Sequence, residues 1–196
     1  MKIRDLIIRN RTCRRFDQTA SIQMATLREL VDLARLSASS ANLQPLKYIL
    51  STDPATNEVI FEQLAWAGYL TDWPGPQEGE RPVAYIIILG DRKIKFPIDC
   101  DHGIAAQSIM LGATERGYSG CIISAVKRRE LARRLAIPEH LEIMLVLALG
   151  KCAEKVVLEE VGEKGDIRYW RDEQDVHHVP KRKLTEIIIK EYAQSE

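Results

Sequence analysis

The stretch DHGIAAQSIMLGATERGY, residues 101–118, is the clearest helical pattern in the chain. Its apolar and small residues recur at helical spacing and predict a helix over residues 101–116. One face of this helix carries Ile104, Ala105, Ser108, Ile109, Gly112 and Ala113. Because several of these side chains are small, another helix can approach closely, and we expect this helix to lie at the centre of the fold.

Shorter periodic segments flank the central helix on both sides. Helical patterns occur near the N-terminus, at Ile3, Leu6 and Ile7, and over residues 22–38 (with Ser21 as N-cap), 54–65 and 127–136. Strand patterns occur over residues 47–51, 83–89 and 141–149. With 196 residues, the chain suits one domain of the α/β or α+β class.

Acidic and basic side chains balance at 28 each, so the composition indicates no general affinity for polyanions. The basic stretch KRRELARR, residues 127–134, is typical of an amphipathic helix with a solvated charged face, because Leu131 and Leu135 recur on the other side. We therefore expect no nucleic-acid partner. A nucleic-acid binder that uses residues 127–134 and 181–183 remains an alternative.

The chain has four cysteines, Cys13, Cys100, Cys121 and Cys152, and no C-x-x-C pair. This spacing argues against a redox dithiol or a zinc knuckle and favours a reduced, cytosolic setting. The N-terminal segment shows no cleavage site of small residues, and the longest apolar run is too short to span a bilayer. We expect a soluble, cytoplasmic protein without a membrane partner.

Histidines and carboxylates occur together at two places. In DCDHG, residues 99–103, Asp99 and Asp101 fall where the start of a helix favours hydrogen-bond acceptors, so we interpret them as helix caps rather than metal ligands. His177 and His178 have no third ligand pattern and no nucleophile motif beside them. Neither a zinc site nor a catalytic triad is predicted.

Two polar motifs in the first quarter of the chain suit a ligand. In NRTCRRFD, residues 10–17, the arginines around Thr12 suit an oxyanion such as phosphate, although a solvated basic turn has the same pattern. In SSANLQP, residues 39–45, uncharged hydroxyl and amide groups suit the edge of a heterocycle or a polyol. The alternative for the second motif is a loop whose polar side chains satisfy the local backbone.

Two further segments lack regular periodicity. Residues 66–82 are rich in Pro and Gly and carry Trp66, Tyr69 and Trp73, which is typical of a surface excursion with aromatic anchors. Beyond residue 151 the periodicity weakens over more than forty residues. This tail is best explained as an arm packed on something else, such as a second subunit.

Four of these motifs, in this order, resemble the nitroreductase family of flavin proteins. RTCRRF at residues 11–16 is similar to the family's R-S-x-R-x-F, and SSANLQP is similar to its S-S-x-N-x-Q-P. The central helix leads to a GCIIS turn at 120–124, and the last buried strand ends in LGK at 149–151. The resemblance covers nearly the whole chain. It departs from the family at Thr12, where many relatives have Ser, at Leu46, where many have an aromatic residue, and at Cys152, where proline is common.

The resemblance implies an α+β fold with a central, mostly antiparallel sheet flanked by helices, in an intertwined homodimer that binds FMN at its interface. Residues 1–196 would form a single domain, with residues 153–196 as an arm on the partner. Arg11 would hold the phosphate of FMN. It would do so together with Lys181, Arg182 or Lys183.

Other residues would contact the rest of the cofactor by the same resemblance. Thr12 and Arg14 would reach the ribityl chain and the pyrimidine edge. Further contacts would come from Ser39, Ser40, Asn42 and Gln44, often from the other subunit, and from Ile122, Ile123 and Ser124 along the ring. Residues 66–82 would form a short lid over the flavin, and the lid residues Trp66, Tyr69 and Trp73 would stack on the substrate.

The activity implied by the resemblance is ping-pong hydride transfer through flavin N5. NADH or NADPH would be the electron donor, and a nitroaromatic, a quinone or a similar flat small molecule would be the acceptor. Such chemistry needs no protein nucleophile, in line with a sequence that lacks the Walker A, G-x-G-x-x-G and G-x-S-x-G motifs. The alternative is a flavin-binding protein of the same fold without rapid NAD(P)H turnover, serving storage, sensing or dedicated electron transfer.

Overall fold

A mostly antiparallel sheet between two layers of helices forms the body of the protein, in a computed structural model that describes residues 2–194. The helices are Ile3–Arg9 (α1), Met24–Leu36 (α2), Pro54–Phe61 (α3), Asp101–Glu115 (α4), Arg128–Arg134 (α5) and Leu184–Ile187 (α6). The strands are Phe16–Asp17 (β1), Leu46–Ser51 (β2), Ala84–Asp91 (β3), Ser119–Ile123 (β4), Leu141–Cys152 (β5), Val156–Glu160 (β6), Trp170–Arg171 (β7) and His177–Lys181 (β8). The predicted α+β class is therefore confirmed.

The main sheet has the strand order β1-β5-β3-β2, and β4 also pairs with β5. Every residue of β3 is buried, so successive side chains supply two different cores. Ile86 and Ile88 pack in the core that contains α2 and α4, whereas Tyr85 and Ile87 pack in the core that contains α3 and α5. This arrangement explains the continuous apolar run from which the strand was predicted.

The central position of α4 is confirmed, and its small residues have the expected effect. Ala105, Ile109 and Ala113 are buried against α2 and the sheet. A Cβ atom at Gly112 would clash with the side chain of Leu33, so glycine is what allows α2 to pack this closely. The helix faces predicted from periodicity thus place α2 and α4 together on one side of the sheet.

Element boundaries differ from the predictions at several points. The N-cap of α2 is Gln23 and not Ser21, because the helix begins two residues later than expected, and no side chain caps it. Helix α3 ends at Phe61 because the next residues turn, and Leu64 forms a β-bridge to Val126. The GCIIS segment, residues 120–124, was predicted as a turn, but its first four residues belong to the strand β4.

The tail contains a second small sheet with the strand order β6-β8-β7. This sheet folds back on the same chain, where Arg15 forms an ion pair with Asp175 (3.2 Å) and Arg171 forms one with Glu154 (2.8 Å). Residues 182–194 are exposed. The predicted packing of residues 153–196 on a partner stays a prediction, and its last two residues lie outside the described chain.

Cys13 and Cys152 form a disulfide, with Cα atoms 6.0 Å apart. The register of β1 against β5 brings these residues together, since Phe16 lies opposite Cys152. The sequence predicted a reduced setting, and this pair departs from that expectation because spacing along the chain does not reveal strand register. Cys100 and Cys121 are free. No helix within residues 2–194 is both long and apolar enough to cross a membrane.

Candidate functional site

A cavity of about 240 Å³ lies where the segment after α1 meets α4, β4 and β8. It is lined by Asn10, Arg11, Thr12, Arg14, Gln107, Met110, Gly120, Ile122, Tyr169, His177, Val179 and Lys181. Five residues that the sequence predicted as cofactor contacts are in this set, namely Arg11, Thr12, Arg14, Ile122 and Lys181. We call this cavity the arginine cavity.

Backbone pairing explains why residues so distant in sequence meet there. Thr12 forms a parallel β-bridge with Gly120, and the amide of Cys13 donates to the carbonyl of Gly120 at 2.9 Å. The chain after α1 therefore runs beside β4. Cys13 points into the protein, where it forms its disulfide, while its neighbours line the cavity.

The arginine cavity is rich in positive charge that no carboxylate neutralises. Within residues 2–194, the side chains of Arg11, Arg14 and Lys181 form no salt bridge. Arg11 donates to the carbonyl of Ile7 at 2.6 Å, but its buried Nε has no hydrogen-bond partner. Burial lowers the pKa of Arg11, because the charged guanidinium loses hydration. A site with these properties favours an anion such as phosphate.

Arg14 is held on three sides. Its backbone amide donates to the carboxylate of Glu154, its guanidinium lies 4.6 Å from the ring centroid of Tyr169, and its Nη1 is 3.4 Å from Nε2 of His177. Glu154 also accepts from Arg171 at 2.8 Å, so its charge is compensated by a residue outside the cavity. Arg14 thus keeps its positive charge toward the cavity.

Eight of the predicted contacts do not line the arginine cavity, namely the four in the SSANLQP loop and Ile123, Ser124, Arg182 and Lys183. Arg182 pairs with Glu186 at 3.8 Å and Lys183 with Glu160 at 3.1 Å, which leaves Lys181 as the basic tail residue at the cavity. The side chain of Ile123 is buried in the core of α3 and α5, because neighbouring residues of a strand face opposite sides. Ser124 is exposed beyond the end of β4.

The SSANLQP loop is held by Asp101, which is only 3% exposed. Its carboxylate accepts from the hydroxyl of Ser39 at 2.5 Å and from the backbone amide of Ser40 at 3.2 Å. The prediction that Asp101 caps a helix is therefore wrong, because its carboxylate oxygens bind this loop instead. The N-cap residue of α4 is Cys100, whose side chain makes no capping hydrogen bond. Asp99 likewise pairs with Lys95 at 2.7 Å.

This loop lies at a different cavity from the arginine cavity. Ser39 and Gln44 line a space of about 260 Å³ together with Tyr48 and Asp101, and the two cavities share no residue. Ser40 and Asn42 are exposed and line neither. A single chain thus does not bring the predicted loop contacts to the arginine residues, and their role as contacts from another subunit stays a prediction.

Of the three lid aromatics, Tyr69 approaches the arginine cavity. Tyr69 is 51% exposed, its ring centroid is 4.9 Å from that of Tyr169, and its amide donates to the Tyr169 hydroxyl at 3.4 Å. Trp66 instead packs on Phe61 at 5.8 Å. Trp73 lies under the guanidinium of Arg171 at 4.5 Å. These two tryptophans hold the segment of residues 66–82 against the rest of the protein.

Sequence reasoning missed Tyr169, Gln107 and Glu154, and it considered His177 only as a metal ligand or a triad member. Within residues 2–194, no group of three or more His, Cys, Asp or Glu side chains is placed to hold a metal ion. The signal that could have located one wall of the cavity is the alternation of His177, Val179 and Lys181, which share one face of β8.

The residues of the arginine cavity fit a phosphate-bearing cofactor with a flat ring. Arg11 and Arg14 each have a buried Nε without a hydrogen-bond partner, and Lys181 adds a third cation. Ile122 offers an apolar surface, and Thr12 offers a hydroxyl. FMN has this combination of phosphate, polyol and ring, so the side chains that line this cavity match the chemical groups of FMN.

Comparison with known proteins supports the fold described above. The model of the nitroreductase family matches residues 7–151. A putative nitroreductase from Desulfovibrio desulfuricans, solved in complex with FMN, is 17% identical with a TM-score of 0.72, and the match covers 98% of each chain. No curated protein sequence matches the chain.

Two other solved structures show the same likeness. A putative NADH dehydrogenase/NAD(P)H nitroreductase from Bacteroides thetaiotaomicron is 20% identical over 83% of this chain and 91% of its own, with a TM-score of 0.63. An enone reductase of gut-bacterial fatty acid saturation is 16% identical over 79% of this chain and 90% of its own, with a TM-score of 0.66. At these identities the structures establish a nitroreductase-like fold.

Proposed function

Because the chain belongs to the nitroreductase family, we propose that it is an FMN-dependent oxidoreductase in which NADH or NADPH reduces a flat acceptor such as a nitroaromatic or a quinone. The observation that carries this proposal is the set of three cations, Arg11, Arg14 and Lys181, that line one cavity without a salt bridge. The FMN in the Desulfovibrio relative supports the choice of cofactor. The names of the Bacteroides relative and the enone reductase support the reaction class.

Four residues of the arginine cavity have roles in this proposal, namely Arg11, Thr12, Arg14 and Lys181. Arg11 and Lys181 hold the phosphate, and Thr12 donates to or accepts from the ribityl hydroxyls. Arg14 directs its charge to the pyrimidine edge, where it favours the reduced, more negative form of the cofactor. When bound, FMN supplies the two-electron transfer, so the protein has to provide orientation, charge and exclusion of water.

The proposal includes a homodimer. Apolar side chains are exposed on α1 and on the end of the tail, namely Ile3, Ile7, Ile8, Leu184, Ile187 and Ile189. Exposed apolar patches of this kind favour a protein partner. A second copy would cover them, and its loop of Ser39, Ser40, Asn42 and Gln44 would complete the cofactor site from across the interface.

A second candidate function, flavin binding without rapid NAD(P)H turnover, is favoured by the position of Tyr169. This ring lines the cavity and contacts both Arg14 and Tyr69, a position in which it would restrict access for a nicotinamide. The two functions differ in what happens after the cofactor is bound.

Anaerobic absorbance spectroscopy of the purified protein separates these candidates. For the proposed oxidoreductase, NADH or NADPH should bleach the flavin absorbance within one catalytic turnover, and a quinone or nitroaromatic should restore it. A flavin spectrum that neither nicotinamide bleaches would support the second candidate. A colourless protein that takes up no added FMN would contradict both.

A further inference from the structure

His177 is buried beside the arginine cavity and is used by none of the roles proposed above. It begins β8, is 1% exposed and lines the cavity. Its ring lies 5.3 Å from that of Tyr169, and its Nδ1 has no hydrogen-bond partner. A buried ring nitrogen without a hydrogen-bond partner costs free energy, so other contacts of the imidazole must stabilise it.

The contact with Arg14 determines the protonation of His177. A guanidinium can only donate hydrogen bonds, so the Nε2 atom that lies 3.4 Å from Nη1 of Arg14 must be the acceptor. The single ring proton is then on Nδ1, and the imidazole is neutral. The pKa of His177 is lowered to about 4, first by burial, which the opposing charge of Glu154 does not cancel, and further by the charges of Arg14 and Arg171.

A neutral hydrogen-bond acceptor at this position leaves the charge of Arg14 uncompensated, whereas a carboxylate would neutralise it. Glu154 touches the backbone of Arg14 and gives its side-chain ion pair to Arg171, so it does not neutralise the Arg14 guanidinium. His177 accepts from this guanidinium without adding negative charge, while the ring of Tyr169 limits its rotation. Arg14 is therefore fixed in direction but keeps its full charge for a ligand.

We propose that His177 is a positioning residue that holds the uncompensated guanidinium of Arg14 toward the cavity and so sets the affinity for the anionic cofactor. This inference rests on the proposed function, because the cofactor is taken to be FMN. It assigns to the tail sheet a direct part in the site, since β8 supplies both Lys181 and the residue that orients Arg14. His177 acts through Arg14 and not on the reacting atoms.

A double-mutant cycle on the full chain tests this coupling. FMN dissociation constants are measured by flavin fluorescence for wild type, His177→Leu, Arg14→Ala and the double variant. We expect His177→Leu to weaken FMN binding about tenfold, and to have little further effect once Arg14 is alanine. His177→Gln, whose side-chain oxygen can accept from Arg14, should restore most of the affinity.

Two outcomes would overturn the inference. One is an effect of His177→Leu that is the same with and without Arg14, and the other is a lower thermal unfolding temperature with unchanged FMN affinity, which indicates a role in packing alone. A nitrogen-15 NMR spectrum of wild-type histidines needs no variant. It should show His177 neutral with its proton on Nδ1 at neutral pH, and the opposite tautomer or a charged ring would contradict the geometry.

The same experiments distinguish a failure of the positioning role of His177 from a failure of the proposed function. If wild type binds no FMN, the proposed function fails, while the NMR spectrum still reports whether His177 accepts from Arg14. If wild type binds FMN tightly and His177→Leu binds it equally well, the function stands and the positioning role is wrong.

Discussion

Basic side chains that are close in sequence differ in whether they can bind a ligand. Lys181 lines the arginine cavity, whereas Lys183 forms an exposed ion pair with Glu160 at 3.1 Å. Exposed pairs of this kind contribute about 0–1 kcal/mol to stability, and Lys181 is exposed and forms no ion pair with the residues that the structure describes, so neither lysine is needed for folding. The two residues therefore form a matched pair for testing the site.

Substitution of Lys181 should affect the cofactor and leave the fold intact. We expect Lys181→Ala to weaken FMN binding about 10- to 100-fold, because a hydrogen bond to a charged group contributes about 1.5–3 kcal/mol. Lys183→Ala should bind FMN as wild type does. Isothermal titration calorimetry of both variants measures the difference, and equal affinities would show that Lys181 does not meet the phosphate.

Among the structural elements, the tail sheet combines two histidines with opposite properties. His177 is buried and uncharged, whereas His178 lies between Asp172 (3.1 Å) and Glu159 (3.0 Å) and stacks on Trp170. Hydrogen bonding to Asp172 first, and to Glu159, raises the pKa of His178 above its usual 6.5. When it is protonated, the ring donates to both carboxylates and so links β8 to Glu159 of β6 and to Asp172 after β7.

The stability of the tail sheet should depend on pH through His178. Because the folded pKa is raised, the stabilisation is full below about pH 6.5 and is lost as pH rises through the folded value. Hydrogen exchange of β8 amides, corrected for intrinsic rates, should show weaker protection at pH 9 than at pH 6. His178→Phe should remove this difference, and a wild-type sheet equally protected at both values would contradict the expectation.

The disulfide between Cys13 and Cys152 connects the segment before β1 to the last residue of β5. It closes a loop across 139 positions and should stabilise the fold by about 2–4 kcal/mol, mainly by restricting the unfolded chain. Cys152→Ser should lower the free energy of unfolding in urea by this amount. Cys100→Ser, at an exposed free thiol, should leave it unchanged. Equal stabilities of the two variants would exclude a bonded pair.

Regular elements could be predicted where burial repeats along the chain, as in α2, α4 and β3. The Cys13–Cys152 pair could not, because it depends on the register of two strands far apart in sequence. Strand β8 escaped notice since Pro180 is disfavoured within strands, although His177, Val179 and Lys181 alternate. Arg11, Thr12 and Arg14 of the arginine motif line one cavity, but a single chain leaves the SSANLQP loop at another cavity.

For the whole molecule, the exposed apolar residues of the tail support the proposed homodimer. Leu184 is 68% exposed and Ile187 is 60% exposed. We expect wild type to sediment as a dimer and the Leu184→Glu, Ile187→Glu double variant to sediment as a monomer, because buried charges without partners oppose association. Ile167→Glu is the control, at an exposed residue outside both apolar segments. A monomeric wild type would contradict the dimer.

The central claim is that the arginine cavity binds FMN, and titration of the flavin-free protein with FMN tests it most directly. The comparison is between wild type, Arg11→Ala and Arg182→Ala, with flavin fluorescence as the readout. The account predicts saturable binding to wild type, binding at least about tenfold weaker for Arg11→Ala, and no change for Arg182→Ala, all at unchanged thermal unfolding temperature. Equal FMN affinity in wild type and Arg11→Ala, or no binding to wild type, would contradict it.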